Sequence, residues 1–206
     1  MIDIVSVGSS SSGNSYIIMA EGRTLLLDAG LPAKKIINAL EHLGTDPSAV
    51  DAVLITHEHT DHVKSVRAIS RKCCNAVFYA TRGTMKHTEN FACIPEERVR
   101  PIAAGELVAD MEGVEIGVFA LSHDASEPVS FTVRAGGRKL AVVTDTGVVT
   151  DEIYDAVSDA DLLVFEANHD VDMLMFGEYP YPVKMRIKGD KGHLSNDYAG
   201  EVLASI

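Results

Sequence analysis

The stretch His57-Glu58-His59-Thr60-Asp61-His62 places three imidazoles and two carboxylates directly after an apolar run that predicts a β-strand. In extended backbone His57 and His59 project to the same side, so one cation can bind both imidazoles. A turn two residues later would direct Asp61 and His62 to a second cation, and the ions of known two-metal sites lie roughly 3.5–4 Å apart. The stretch therefore predicts a metal centre rather than an ordinary polar surface loop.

The composition fits one folded domain. The 206 residues are 46% hydrophobic, enough to bury a core, so we expect a single domain over residues 1–206. The sequence has neither a long apolar run nor a basic segment followed by an apolar one at its start, which predicts no membrane partner and a cytoplasmic location. Three cysteines, two of them adjacent, do not indicate a disulfide framework or a zinc knuckle.

The charge of the chain bears on its partners. A formal net charge of −12 argues against a protein that coats nucleic acid, because phosphate binding requires a basic surface. It does not exclude a nuclease, since bound divalent cations neutralise part of an acidic cleft. Four basic residues lie close together near the C-terminus and either contact phosphates or form a solvated loop without a partner: Lys184, Arg186, Lys188 and Lys191.

Hydrophobic periodicity predicts the elements around the metal-binding stretch. Residues 2–7 and 16–19 are predicted to form a hairpin, joined by the Ser/Gly/Asn turn 8–15. The run 52–56 predicts the strand that leads into the stretch, and residues 63–72 are predicted to form a helix after it. Ligand-type residues at strand ends are a common way to build a site, because the scaffold is rigid and the loops are free to vary.

Three further apolar runs lead to His123, Asp145 and Glu166. Taken alone, His123 could be an ordinary hydrogen-bonded histidine and Asp145 a residue that caps a turn. Beside the stretch 57–62 they become a third imidazole for one cation and a carboxylate that bridges both cations. Asp28 is either a turn residue or a group that orients a ligand histidine.

In this order, the stretch 57–62, His123 and Asp145 resemble the metallo-β-lactamase superfamily of metallohydrolases. More narrowly, six segments spread over the chain resemble bacterial proteins of the YycJ/WalJ type. They are 8–15 (GSSSSGNS), 122–125 (SHDA), 144–147 (TDTG), 166–170 (EANHD), 179–180 (YP) and 192–196 (GHLSN).

The resemblance implies an α/β fold, a four-layer αββα sandwich, that holds two divalent metal ions, Zn or Mn, and hydrolyses DNA as a 5′-to-3′ exonuclease. The implied ligands are His57, His59 and His123 for one metal and Asp61 and His62 for the other, with Asp145 bridging. A metal-bound hydroxide, oriented by Asp61, would attack phosphorus, because zinc can lower the pKa of bound water to about 7. The mixed donor set suits zinc, but oxygen-rich shells with an open site also accept manganese.

Residues near the C-terminus are implied to contact the substrate. His193 would lie beside the scissile phosphate and either donate a proton to the leaving oxygen or hold the phosphate. The alternative is that His193 only caps the helix ahead of Ser195. Lys184, Arg186 and Lys188 would suit contacts with DNA phosphates.

The chain departs from the family pattern at Ile206, because family members continue through a strand that ends in a further histidine ligand. We therefore expect the sandwich to lack its C-terminal strand and helix. Either His193 or His169 then substitutes for that ligand, or the second metal is weakly held. The missing strand would leave an unpaired sheet edge prone to association, and the sequence leaves the oligomeric state open.

Two other functions stay open at this point. The same metal site could hydrolyse a small thioester or lactone, since a fold alone does not settle the substrate. A closed apolar pocket would favour that function, whereas a shallow basic groove would favour DNA. The third alternative is a metal-binding regulatory protein whose site no longer turns over.

Overall fold

Two β-sheets face each other in the computed structural model, which describes residues 1–109 and 111–206. The first sheet has the strand order β1 (Ile2–Gly8), β2 (Ser15–Ala20), β3 (Arg23–Leu27), β4 (Ala52–Leu54), β5 (Val77–Thr81) and β6 (Val99–Ile102). The second sheet runs, from one edge to the other, β11 (Leu162–Phe165), β10 (Arg138–Val143), β9 (Val129–Ala135), β8 (Val114–Ala120) and β7 (Leu107–Met111).

Helices connect and cover these strands. Their bounds are α1 Ala33–His42, α2 Thr60–Val63, α3 Val66–Lys72, α4 Arg82–Lys86, α5 Asp151–Val157, α6 Val171–Phe176, α7 Tyr181–Lys188 and α8 Asn196–Leu203. Short 3-10 turns lie at Pro47–Ala49, Glu89–Cys93 and Glu96–Arg98. Among the residues that the structure describes, none of the helices combines the length and the apolar character that a membrane span needs.

Three apolar clusters separate the layers. Between the sheets, Leu54 of the first and Phe131 of the second lie in one fully buried cluster. The outer face of the first sheet packs on α1 and α3, where Ile36 is buried, and the outer face of the second packs on α5 through Ile153. This order of helix, sheet, sheet and helix confirms the predicted αββα sandwich. The predicted hairpin is also confirmed, since β1 pairs antiparallel with β2.

Parallel strand pairs position the site. β3 and β4 run parallel, so the residues that follow them, Asp28 and His57, emerge at the same edge of the first sheet. β10 and β11 are likewise parallel, and Asp145 and Glu166 follow them at one edge of the second sheet. Open α/β sheets commonly bind ligands outside the carboxyl ends of such strands. β11 itself lies at the edge of its sheet.

The predicted helix over 63–72 is confirmed for Val66–Lys72, but it does not continue back to Val63. The chain forms the short α2, directly after His59, and then the separate helix α3. Ser65 lies between them, where its N–H donates to the carbonyl of Ala29 at 2.8 Å and its hydroxyl donates to the carbonyl of Leu31 at 2.6 Å. These two bonds attach the chain to the loop after β3, and one helix through this region would forgo them.

Two glycines allow three loops of the site to touch through their backbones. A Cβ on Gly30 would lie 1.5 Å from the carbonyl oxygen of Asp61, and a Cβ on Gly13 would lie 2.6 Å from the carbonyl oxygen of Gly30. The N–H of Gly30 donates to the carbonyl of Asn14 at 2.9 Å. The backbones of the loops after β1, β3 and β4 are therefore in direct contact, and no side chain fits between them.

We expect Gly30→Ala to lower the free energy of unfolding by ~3 kcal/mol or more, because overpacking a site with no free space displaces backbone. Thermal unfolding of the metal-free protein measures this effect. Gly200→Ala is the matched control: Gly200 lies in α8 and its Cβ would meet nothing within 4 Å. Alanine favours a helix over glycine, so this variant should gain up to ~1 kcal/mol. A Gly30→Ala protein that unfolds like the wild type would contradict the expectation.

Candidate metal centre

Three imidazoles converge where the loops after β4 and β8 meet. His57 Nε2 lies 3.1 Å from His59 Nδ1, and His123 Nε2 lies 3.3 Å from the same atom. A tetrahedral cation with metal–nitrogen bonds of ~2.0–2.1 Å separates its ligand atoms by about 3.3 Å. The spacing of these three nitrogens therefore fits one cation, and His57 and His123 are buried while His59 is partly exposed.

Hydrogen bonds on the outer side of the rings leave the inward nitrogens free to bind a cation. His123 Nδ1 lies 3.1 Å from the carbonyl oxygen of Gly192, which can only accept, so Nδ1 carries the proton. Thr56 Oγ1 donates to the carboxylate of Asp28 and lies 3.0 Å from His57 Nδ1, from which it can accept. The Nε2 lone pairs of His57 and His123 therefore point toward the cluster.

A second group of donors surrounds His62. Its Nε2 lies 3.1 Å from Asp145 Oδ2, and these two residues form with His57 a group close enough to hold one ion. Asp61 Oδ2 lies 3.4 Å from the same nitrogen but is not a member of the three groups found among the described residues. His62 Nδ1 lies 2.7 Å from Asp28 Oδ2, so Asp28 orients this histidine from behind. Asp28 and Asp145 both adopt left-handed backbone, with φ of 58° and 56°, a conformation uncommon outside glycine.

The pKa shifts of the metal-free protein show how the cluster favours positive charge at His62. Burial lowers the pKa of His57 well below its usual range, and the charge of His62 acts in the same direction. Burial alone would also lower the pKa of His62, but Asp28, Asp145 and Asp61 raise it well above its usual value. Burial raises the pKa of Asp145, yet its bond to His62 brings it well below normal. A divalent cation would replace the proton of His62.

His193 lies beside this cluster and is paired with a carboxylate. Its Nδ1 lies 2.6 Å from Glu166 Oε1 and 3.4 Å from Asp145 Oδ1. Glu166 Oε2 accepts from the N–H of Thr146 at 2.9 Å, which fixes the carboxylate. Sequence reasoning noted Glu166 only as a strand-end residue and missed its bond to His193. Three groups of donors close enough to hold a metal ion lie among the described residues, His57/His59/His123, His57/His62/Asp145 and His123/Asp145/His193.

The structure brings His193, and not His169, to the centre. His169 is absent from the three groups of donors found among the described residues. Both of its ring nitrogens are buried without a hydrogen-bond partner in the part of the chain that the structure describes. Burial lowers the pKa of His169, which favours an uncharged ring.

The basic residues have different surroundings. Arg186 forms an ion pair with Asp124 and lines the cavity over the metal centre. Lys184 Nζ instead donates to the carbonyls of Met175 and Gly177 at 2.8 and 2.7 Å, away from that cavity. Lys188 is exposed at the end of α7. The cavity has a volume of about 170 Å³ and is lined by Ser11, His59, Asp61, His123, Asp124, Asp145, Arg186, Ile187, Gly192 and His193.

A larger cavity, of about 550 Å³, lies at the amino ends of β4 and β5, where Asp51, Asn75 and Arg100 line it. It contains none of the three groups of donors found among the described residues. The smaller cavity over the histidines is therefore the candidate site.

Comparisons with known proteins agree with this fold. A family model described as the β-lactamase superfamily domain matches residues 23–206. Exodeoxyribonuclease YycJ of Bacillus anthracis is 35% identical over 201 residues, covering 97% of this chain and 75% of the relative. Exodeoxyribonuclease WalJ of Streptococcus pneumoniae is 35% identical over 202 residues, covering 96% and 74%. The crystal structure of Zn(2+)-bound PqqB from Methylobacterium extorquens has a TM-score of 0.73 at 20% identity, covering 95% and 81%.

An αββα sandwich with a histidine and aspartate cluster at its strand ends defines a metal-dependent hydrolase of the metallo-β-lactamase fold. Within this superfamily, the chain belongs to the family of YycJ and WalJ. The resemblance found in the sequence is thereby confirmed.

Proposed function

We propose that the protein is a two-metal phosphodiesterase that degrades DNA as a 5′-to-3′ exonuclease, with residues 1–206 acting as one domain. The observation that carries the proposal is that the group His57, His59 and His123 lies next to His62 and Asp145, which can bind a second ion. Its relatives bear the name exodeoxyribonuclease, which supports DNA as the substrate. The cytoplasmic location expected from the sequence stays a prediction.

The distances among the histidines and Asp145 support the following ligand assignment, to which Asp61 is added from the family resemblance. His57, His59 and His123 would hold one ion, and Asp61 and His62 the other, with Asp145 between them. Zn or Mn bound there would neutralise charge on the phosphate and activate a water molecule. Asp61 is partly exposed and faces the cavity, where it can orient the attacking water. The outward bonds of the imidazoles keep their rings fixed while substrate enters.

His193 would supply the proton that the leaving oxygen needs. Its Nδ1 is bound by Glu166, which leaves Nε2 as the nitrogen free to donate toward the cavity. Burial alone would lower the pKa of His193, but the hydrogen bond and charge of Glu166 raise it, which favours the protonated form. Asp145 and Asp124 act in the same direction.

Substrate phosphates would meet one wall of the cavity. Arg186 is the basic residue placed to contact them, since it lines the cavity and its side chain is more than half exposed. Lys188, exposed on the same helix, would contact phosphates further along the strand. The contacts of Lys184 with two carbonyls assign this residue to holding α7 against the end of α6.

The cavity lining weighs against the alternative of a thioester or lactone hydrolase. Among the described lining residues, Ile187 alone has an apolar side chain. Pockets for small organic ligands are predominantly apolar and typically ~300–1,000 Å³ in volume, larger than this polar cavity of about 170 Å³. A polar cavity that opens onto charged residues suits a phosphodiester better.

Metal analysis and DNA digestion together test the proposal. Mass spectrometry of the purified protein gives metal content per chain, and DNA labelled at the 5′ or the 3′ end is then digested with added Mn or Zn. We expect the wild type to bind about two ions per chain and to hydrolyse DNA from the 5′ end. We expect the His59→Ala variant to lose metal and to lose the hydrolysis. Metal binding without cleavage of DNA or of small esters would instead support the metal-binding regulatory alternative.

A further inference from the structure

We infer that Asn14 is a positioning residue that fixes the carboxylate of Asp61 and thereby sets the affinity of the second metal site. The inference rests on the proposed two-metal function. Asn14 lies in the Ser/Gly/Asn turn between β1 and β2, a segment to which the ligand assignment gives no role. The residue is 7% exposed, and its side chain faces the cluster around His62.

The contacts of Asn14 with Ser10 fix the orientation of its amide. The side-chain Oδ1 accepts from the N–H of Ser10 at 3.0 Å, and the side-chain Nδ2 donates to the carbonyl of Ser10 at 3.2 Å. A backbone N–H can only donate and a carbonyl can only accept, so the oxygen and the nitrogen of the amide cannot be exchanged. The nitrogen therefore faces the metal ligands.

The amide nitrogen has more acceptors nearby than it has hydrogens. Besides the carbonyl of Ser10, Asp61 Oδ2 lies at 3.2 Å and His62 Nε2 at 3.1 Å. The group carries two hydrogens, and the lone pair of His62 Nε2 is the one that a cation takes. In the metal-loaded protein the second hydrogen therefore points to Asp61 Oδ2.

Asp61 Oδ2 is the oxygen on the metal side of its carboxylate, since it is also the atom that lies 3.4 Å from His62 Nε2. A carboxylate oxygen has two lone pairs, so one can bind the cation while the other accepts from Asn14. Asp61 is partly exposed, with a side chain 30% accessible, and its orientation depends on such a bond. Outer hydrogen-bond partners of this kind hold metal ligands in place.

Two backbone hydrogen bonds that join Asn14 to the neighbouring loops do not involve its side chain. The N–H of Asn14 donates to the carbonyl of Asp61 at 2.8 Å, and its carbonyl accepts from the N–H of Gly30 at 2.9 Å. Removing the amide leaves both bonds in place. The effect on metal binding can therefore be separated from an effect on folding.

Calorimetric titration of the metal-free protein with Zn²⁺ tests the inference. We expect Asn14→Ala to weaken the second binding event by ~10-fold or more and to leave the first unchanged, because loss of an outer partner costs ~10–100-fold in metal affinity. Asn14→Leu, which fills a similar volume but donates no hydrogen bond, should show the same loss. Asn38→Ala, which removes an exposed amide on α1, is the matched control and should bind as the wild type.

The outcomes separate this inference from the proposed function. A wild type that binds a single ion would overturn the two-metal proposal itself. A wild type that binds two ions, with an Asn14→Ala variant that binds both equally well, would overturn only the role of Asn14. An Asn14→Ala variant with unchanged metal binding but a lower kcat would also overturn that role, because it would show that the amide contacts substrate. Failure of both Asn14 variants to fold would assign the residue to the turn and also contradict the inference.

Discussion

The Asp145→Asn variant is expected to lose the second metal ion and more than ~100-fold of its hydrolytic rate. Asp145 belongs to two of the three donor groups, and its oxygens face His62 and His193 at 3.1 and 3.4 Å. Losing only an outer partner of a metal ligand costs up to ~100-fold, so removing the charge of Asp145, the proposed bridging ligand, should cost more. Metal content by mass spectrometry and the rate of DNA digestion measure the two effects.

Asparagine is the informative replacement because of the backbone. Position 145 has a φ of 56°, a conformation that asparagine tolerates and alanine does not, so a loss of metal can be attributed to the carboxylate. Asp155→Asn, at an exposed position on α5, is the matched control and should keep both metal and rate. An Asp145→Asn protein with full metal content would show that this carboxylate is not a ligand.

The sequence predicts the local part of the site well. The residues of the stretch 57–62 are neighbours in the chain, so the predicted placement of His57 and His59 at one cation depends only on extended backbone. His123 and Asp145 could be predicted as site residues because each follows an apolar run that forms a strand of the second sheet. The structure brings His57, His59, His62, His123 and Asp145 together. The αββα layers, in contrast, are expected from the family resemblance and not from the periodicity.

Contacts between distant segments could not be predicted in the same way. Asn14 and Asp61 are 47 residues apart, and they meet only because β1 to β4 lie next to one another in the first sheet. The position of a lysine in the sequence likewise does not predict its hydrogen-bond partners. Lys184, for example, donates to two backbone carbonyls. The break at Ser65 depends on bonds to the loop after β3, which no helical pattern reveals.

The His193–Glu166 pair gives the second large expected effect. His193→Ala should lower kcat by ~10²–10⁴-fold, the usual contribution of a positioned general acid. Because His193 also lies close to His123 and Asp145, metal content must be measured on the same sample. Full metal occupancy with a lower kcat would assign His193 to proton transfer, whereas a kcat unchanged from the wild type would remove it from the mechanism.

Glu166→Gln tests the same pair through pH. A general acid works only while it is protonated, so activity falls as the pH rises through its pKa. The Glu166 carboxylate raises the pKa of His193 against the opposing effect of burial. Removing that charge should lower this pKa and move the alkaline limb of the kcat profile to lower pH. Glu201→Gln, at an exposed position on α8, should leave the profile in place. An alkaline limb that does not move in Glu166→Gln would mean that another group supplies the proton.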